Sequence, residues 1–262
     1  MADIKFDDAP ESKQFKSIDS AGIHRNFILD EAEFQPLAAK MEKKKVDGKD
    51  VEVDSGKTIG PWAKFTFKCD NPTQQFVCTL FAPPAKEEDI KFYGDVYEKG
   101  IPIRKKTAAE QIKSEFTNKY YFYEQLAKAM LISPDKFKAY KDSVGGDPEH
   151  LFKLMFDKFF ALFPLDKLKG KAIDIKTIWN NNIKAKTSFL QLAYPSSSNL
   201  VFAPYIPNRD TLLSITVNEQ KSLRRTFNPN DRAPTTDATE ANADNQWKPV
   251  ATEGAEGEEV LF

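Results

Sequence analysis

Two cysteines and two histidines are all the soft metal-binding side chains that 262 residues contain. Cys69, Cys78, His24 and His150 stand at none of the spacings that hold zinc, so no metal is expected. The two cysteines flank an expected turn and read as half-buried free thiols in a reducing compartment. The eleven glycines never form G-x-x-x-x-G-K-[ST] or G-x-G-x-x-G, which removes the usual backbone cradle for nucleotide phosphates. No apolar run reaches the roughly 18 residues needed to cross a bilayer. The opening Met1-Ala2-Asp3-Ile4-Lys5-Phe6-Asp7-Asp8 is polar and acidic, unlike a secretory signal, so a cytoplasmic protein without membrane contact is expected. Neither histidine sits in a catalytic motif. The acids of Glu87-Glu88-Asp89 and Glu31/Glu33 read as helix starts, where the helix dipole favours them. Asp174 is the only acid inside a clear strand pattern, so neither enzymatic chemistry nor a cofactor is expected.

Net charge is also nearly absent, at −1, but the average hides a segregation. Residues 228–262 hold eight acids and two bases, a net −6; residues 1–227 hold 36 bases and 31 acids, a net +5. A modestly basic body is joined to an acidic tail, a pattern that points to an interaction tail.

The pattern along the chain is mainly β with a helical insertion. Asp30-Glu31-Ala32-Glu33 reads as the cap of a short helix running toward Lys45, and Val46-Asp47-Gly48-Lys49 as a turn. Trp62 to Cys69 alternates strictly, with Ala63, Phe65, Phe67 and Cys69 on one face and Trp62, Lys64, Thr66 and Lys68 on the other. Asp70-Asn71-Pro72-Thr73 is a turn, and Gln75 to Ala82 returns as the second strand of a hairpin, with Phe76, Cys78 and Leu80 on one face. Thr107-Ala108-Ala109-Glu110 is a capping box. Ser133-Pro134 and Asp147-Pro148 start two further helices, and Pro164 stops the last. Strands resume from Lys171 to Trp179, with Ile173 and Ile175 inward. Asn180-Asn181-Asn182 is the expected turn into a strand from Lys184 to Ala193, and short strands follow near Leu200–Phe202 and Leu212–Val217. After Phe227 the composition is too polar to offset the entropy of ordering. The expected architecture is an OB-type five-stranded antiparallel barrel with a helical insertion. Its organisation is 1–45 as an N-terminal segment with a short helix, 46–227 as the barrel domain with the insertion at about 107–164, and 228–262 as a disordered acidic tail.

Nonspecific binding of a single strand needs cations for phosphates and aromatic faces for bases. Candidates are Trp62, Lys64 and Lys68 on the outward face of the first strand. Tyr93, Tyr97 and Lys99 lie in the segment Lys91–Lys99, with Arg104, Lys105 and Lys106 just after it. Lys176, Lys184 and Lys186 belong to the later strand pair, and Tyr194, Tyr205 and Arg209 to the Pro/Ser-rich loops. The tail ends Glu258-Glu259-Val260-Leu261-Phe262. Three apolar residues behind acids, closed by a ring and an α-carboxylate, suit a partner pocket rimmed by Arg or Lys. Glu256, Glu258, Glu259, Val260, Leu261 and Phe262 are therefore the candidate partner-binding residues. The same acids can also compete for the body's own cationic groove.

On these residues the chain resembles the single-stranded DNA-binding proteins of bacteria and bacteriophages, and more particularly the T7-like phage class. The resemblance rests on Lys64-Phe65-Thr66-Phe67-Lys68-Cys69, on the helical block 107–164, on the Lys-rich pair from Lys171 to Leu192, and on the acidic tail closing on Phe262. The stretches Trp179-Asn180-Asn181 and Phe202-Ala203-Pro204-Tyr205-Ile206 are similar to such proteins from phages of gut bacteria. The tail departs from that class by ending Val-Leu-Phe rather than acid-acid-Phe. The resemblance implies an OB fold that coats exposed DNA strands in replication, recombination and repair, and recruits polymerase or helicase in the host cytoplasm. A homodimer is compatible with it. The competing reading is a phage virion or scaffolding interaction protein with no nucleic-acid binding.

Overall fold

The computed structural model describes residues 14–46, 49–99, 101–183 and 185–227. The elements in chain order are β1 (Lys16–Ser17), β2 (Gly22–Gln35), β3 (Ala38–Val46), β4 (Lys49–Ile59), β5 (Trp62–Asp70), β6 (Thr73–Phe81), β7 (Asp95–Glu98) and β8 (Ile101–Lys105). The helical block follows as α1 (Ala108–Ala129), α2 (Pro134–Ser143), α3 (Pro148–Leu162) and α4 (Leu165–Leu168). Then come β9 (Ala172–Asn182), β10 (Thr187–Leu192), β11 (Phe202–Pro204) and the single turn α5 (Val217–Gln220).

Seven strands form one curled, half-barrel sheet in the order β1-β6-β5-β2-β9-β10, with β11 also pairing β9. All its pairs are antiparallel except the short β1–β6 contact. The curl originates in β2, whose second half pairs β5 and whose first half pairs β9. Each pairing carries a bulge, one between His24 and Phe27 and one between Leu29 and Glu31. An extra residue on one strand bends it and increases its twist, which turns an open sheet toward a barrel. The β3–β4 and β7–β8 hairpins each form a separate two-stranded sheet.

One face of the sheet carries the core and the helices. Ala63, Phe65 and Phe67 of β5 are fully buried, as the alternation predicts. Phe65 meets Phe122 of α1 at 4.8 Å between ring centroids and Phe156 and Phe160 of α3 at 6.1 and 6.2 Å. Phe122 in turn packs on Phe202 of β11 at 5.2 Å. Such tilted and edge-on aromatic pairs stabilise beyond their buried area. Helix α1 starts where expected. Thr107 Oγ1 accepts from the Glu110 amide, and the Glu110 carboxylate accepts from the Thr107 amide. Asp147 caps α3 by accepting from the Glu149 amide at 3.0 Å.

The structure corrects several expectations. The segment from Asp30 to Lys45 is not a helix; it belongs to β2 and β3. Ala32 and Phe34 pack against the core while Glu31 and Glu33 are exposed, so the acids reflect a two-residue strand period rather than a helix cap. Residues 22–35 thus form the central strand, and no boundary at 45 separates an N-terminal segment from the sheet. Seven strands enter the sheet where five were expected. Asn180–Asn182 continue β9, pairing Thr187–Phe189, and the turn falls after them. No strand forms over Leu212–Val217. Helices α1, α2 and α3 lie within residues 107–164, and the segment Asp95–Lys105 folds as the unforeseen β7–β8 hairpin. Cys69 and Cys78 are buried free thiols that do not face each other; Cys69 pairs with Gln74 and Cys78 with Phe65. Burial pushes the Cys78 thiol up to about 12, which makes it unreactive. No helix among the described residues is long and apolar enough to cross a membrane.

Candidate nucleic-acid interface

The face of the sheet opposite the helices is built by β2, β5 and β6. Directly opposed residues of paired strands project to the same face, so the register defines its rows. Gln35, Trp62 and Phe81 make one row, Glu33, Lys64 and Thr79 the next, and Glu31, Thr66 and Val77 the third. Phe81 is 50% exposed and Val77 41%. Trp62 and Phe81 are thus immediate cross-strand neighbours with Lys64 one row away, an aromatic platform with a cation beside it. The platform is less cationic than the sequence implies. Lys68 is ion-paired with Asp30, the residue extruded by the second β2 bulge, and stands over the Phe15 ring at 5.1 Å. The Asp30 carboxylate raises the Lys68 pKa. Lys64 is flanked in register by the exposed Glu33.

The second group of predicted residues gathers on the β7–β8 arm and its junction with α1. Tyr97 is 56% exposed, and Lys99 is exposed at the hairpin turn with φ +49°. Arg104 makes a fork to both Glu110 oxygens at 2.7 Å, and that guanidinium holds the Glu110 carboxyl at about 2. Lys105 pairs with Asp95 at 2.8 Å and lies 5.4 Å from the Phe92 ring; Lys106 donates to Ser114 at 2.8 Å. Tyr93 is half-buried and its hydroxyl donates to Glu87. Much of the basic charge on this arm is therefore neutralised locally.

One predicted contact is corrected. Lys176 does not point outward; it is 1% exposed. Its Nζ donates to Asn199 Oδ1 at 2.6 Å, to the Ser214 carbonyl at 2.8 Å and to Glu219 Oε2 at 2.9 Å. Simple alternation fails here because β9 is covered on both faces, so its polar residues Asp174, Lys176 and Thr177 are as buried as Ile173 and Ile175. Burial alone would push the Glu219 carboxyl up. Bonds from the Thr216 amide, Asn199 and Lys176 outweigh it and hold the carboxyl below its ordinary value. Tyr194 is partly buried against the core, and burial raises its hydroxyl pKa. Lys186 is exposed in the turn before β10 with φ +49°. Lys184 lies outside the described residues, as do Glu256, Glu258, Glu259, Val260, Leu261 and Phe262.

Tyr205 falls in a third place, a polar cleft of about 430 Å³ at one end of the sheet, and the Arg209 carbonyl holds Arg25 beside it. Its walls are the first β2 bulge, the β5–β6 turn and the segment after β11. Buried Asp174 clasps the bulge: its carboxylate accepts from the Asn26 amide and from Arg25 Nε, both at 3.3 Å. Asn26 has φ +63°, a conformation that Asn tolerates better than most residues. Arg25 Nη2 reaches the Ile206 carbonyl at 3.2 Å and that of Arg209 at 2.7 Å, and its guanidinium lies 5.1 Å from the Tyr205 ring centroid. Burial pushes the His24 imidazole below its ordinary value, against the opposing pull of Ser20 and Asp19, and its Nε2 lies 2.9 Å from Thr177 Oγ1.

Sequence reasoning missed Phe81 and Arg25. Phe81 directly precedes the Ala82-Pro83-Pro84 strand end and carries no periodic signal of its own. Arg25 acquires its role only from the bulge. Arg225 stands 5.0 Å from the Trp179 ring and covers it. Among the described residues no group of three His, Cys, Asp or Glu is placed to hold a metal ion. No protein-family model, curated protein or solved structure matches the chain.

Proposed function

We propose that this chain binds single-stranded DNA without sequence preference, through the half-buried, helix-free face of an OB-type half-barrel. The observation that carries the reading is the cross-strand pair Trp62–Phe81 on the side of β5–β6 that the helices leave open, with Lys64 beside it. Bases stack on such rings whatever their identity, and a nearby cation attracts phosphate. The net +5 of residues 1–227 supports attraction to a polyanion, and the acids of the tail can compete with that polyanion. In this reading the protein coats strands exposed during phage replication, recombination or repair in the host cytoplasm. Its Val260-Leu261-Phe262 terminus recruits a polymerase or helicase. It is a binding protein, not an enzyme.

Titration of the full-length chain with oligo-dT at about 50 and 200 mM salt tests this, with tryptophan fluorescence as the signal. Quenching whose affinity falls steeply with salt is expected; no binding at about 50 mM salt overturns the proposal. A second reading, a virion or scaffolding interaction protein, is favoured by the β7–β8 arm, where Ile101 is 65% and Ile103 55% exposed. Abundance in purified particles by mass spectrometry, together with no oligo-dT binding, would establish it instead.

A further inference from the structure

We infer that the cleft between the first β2 bulge, the β5–β6 turn and Tyr205 seats a single unstacked nucleotide of the bound strand. This rests on the single-strand-binding reading and adds a second, separate contact point to it. At about 430 Å³ the cleft lies toward the small end of the range for small-molecule pockets, the scale of one nucleotide rather than of a stacked run.

Its chemistry matches a nucleotide on three counts. Among the described residues no carboxylate lines it. Its cation, Arg25, is held flat by Asp174 and by two backbone carbonyls, so the guanidinium is organised before any ligand arrives. A fixed guanidinium plane over Tyr205, its charge met by Asp174, offers a stacking surface for a base. The polar rim is supplied by the carboxamides of Asn26, Asn71 and Gln74. A carboxamide both donates and accepts, so it can satisfy the edge of any base and imposes no strong sequence preference.

The cleft also explains an otherwise costly arrangement. A buried aspartate, a positive φ at a non-glycine residue and an arginine tied to two distant segments all serve one bulge. Bulges recur where a strand must re-aim side chains toward a site. Here the bulge aims Arg25 across the cleft toward Tyr205.

The test uses the full-length chain and oligo-dT carrying one 5-iodo-deoxyuridine at the 5′ end, the middle or the 3′ end, with photo-crosslinks mapped by mass spectrometry. Crosslinks to Tyr205 or His24 are expected besides those on β5–β6, and Tyr205→Ala should abolish them and lower oligo-dT affinity about 5- to 150-fold. If Tyr205→Ala loses its thermal transition, the double variant Asn71→Ala/Gln74→Ala, confined to the β5–β6 turn, decides the matter by the same two readouts. Crosslinks restricted to Trp62 and Phe81, with affinity unchanged in the variants, overturn the cleft assignment and leave the proposed function standing. Absence of oligo-dT binding by the unaltered chain overturns both.

Discussion

Replacing Lys176 with Met separates a structural lysine from a nucleic-acid contact. The three ammonium protons are all used, on Asn199, Ser214 and Glu219, at 2.6, 2.8 and 2.9 Å, with the side chain 1% exposed. Together they tie the loops after β10 and the α5 turn to β9. Methionine fills similar volume but leaves the Glu219 carboxylate without its cation. Breaking a buried pair from one side costs about 3–5 kcal/mol. Glu219 keeps its bonds from Thr216 and Asn199 and is 9% exposed, so the lower end, about 3 kcal/mol, applies. For a domain of this size that lowers the thermal midpoint by about 6–12 °C. Urea unfolding and calorimetry measure it. The double variant Lys176→Met/Glu219→Gln should lose less than the sum of the single losses, because the pair acts as a unit. Glu219 also sets the pH sense. Its folded pKa lies below the unfolded value, so its contribution is fully present above the unfolded value of about 4.3 and is lost as pH falls through the lower folded value. A stability change under 1 kcal/mol, combined with weaker oligo-dT binding and a shallower salt slope, would refute the clamp and restore Lys176 as a phosphate contact.

Tyr123 is fully buried among Phe65, Phe122, Tyr140 and Phe159, and its hydroxyl has no partner among the described residues. Tyr123→Phe should be neutral or stabilise by about 1 kcal/mol in urea titration; a comparable loss would mean the hydroxyl is bonded after all. Phe81→Ala should weaken oligo-dT binding about 5- to 150-fold with little change in thermal midpoint, Phe81 being half exposed; unaltered affinity counts against the β5–β6 platform. Removing Gly254 to Phe262 takes three acids from the chain and should leave or strengthen DNA binding while abolishing partner pull-down. Weaker DNA binding would refute competition between tail and groove.

Local pattern alone was enough for the elements whose environment is one-sided. β5 packs fully into the core on one side and only partly, around Thr66, on the other, so its period of two is legible from Trp62 to Cys69. The Thr107–Glu110 box and the two cap-proline pairs likewise mark helix starts through contacts within a few residues. The charge division between residues 1–227 and the tail is a property of sequence and needs no structure.

What only the tertiary structure decided is where long-range pairing overrides local signal. Acids at 30–33 resemble a helix cap until β2 is placed between β5 and β9, where they become the outer face of a central strand. Lys176 has the spacing of an outward residue, and only the covering of β9 on both faces turns it inward onto Asn199, Ser214 and Glu219. The cleft has no sequence signature. It joins Arg25, Asn71, Asp174 and Tyr205 from four segments, and its geometry depends on one extra residue in a bulge. Bulges, two-sided burial and the meeting of distant loops are set by packing across the whole sheet, and no window of neighbouring residues contains that information.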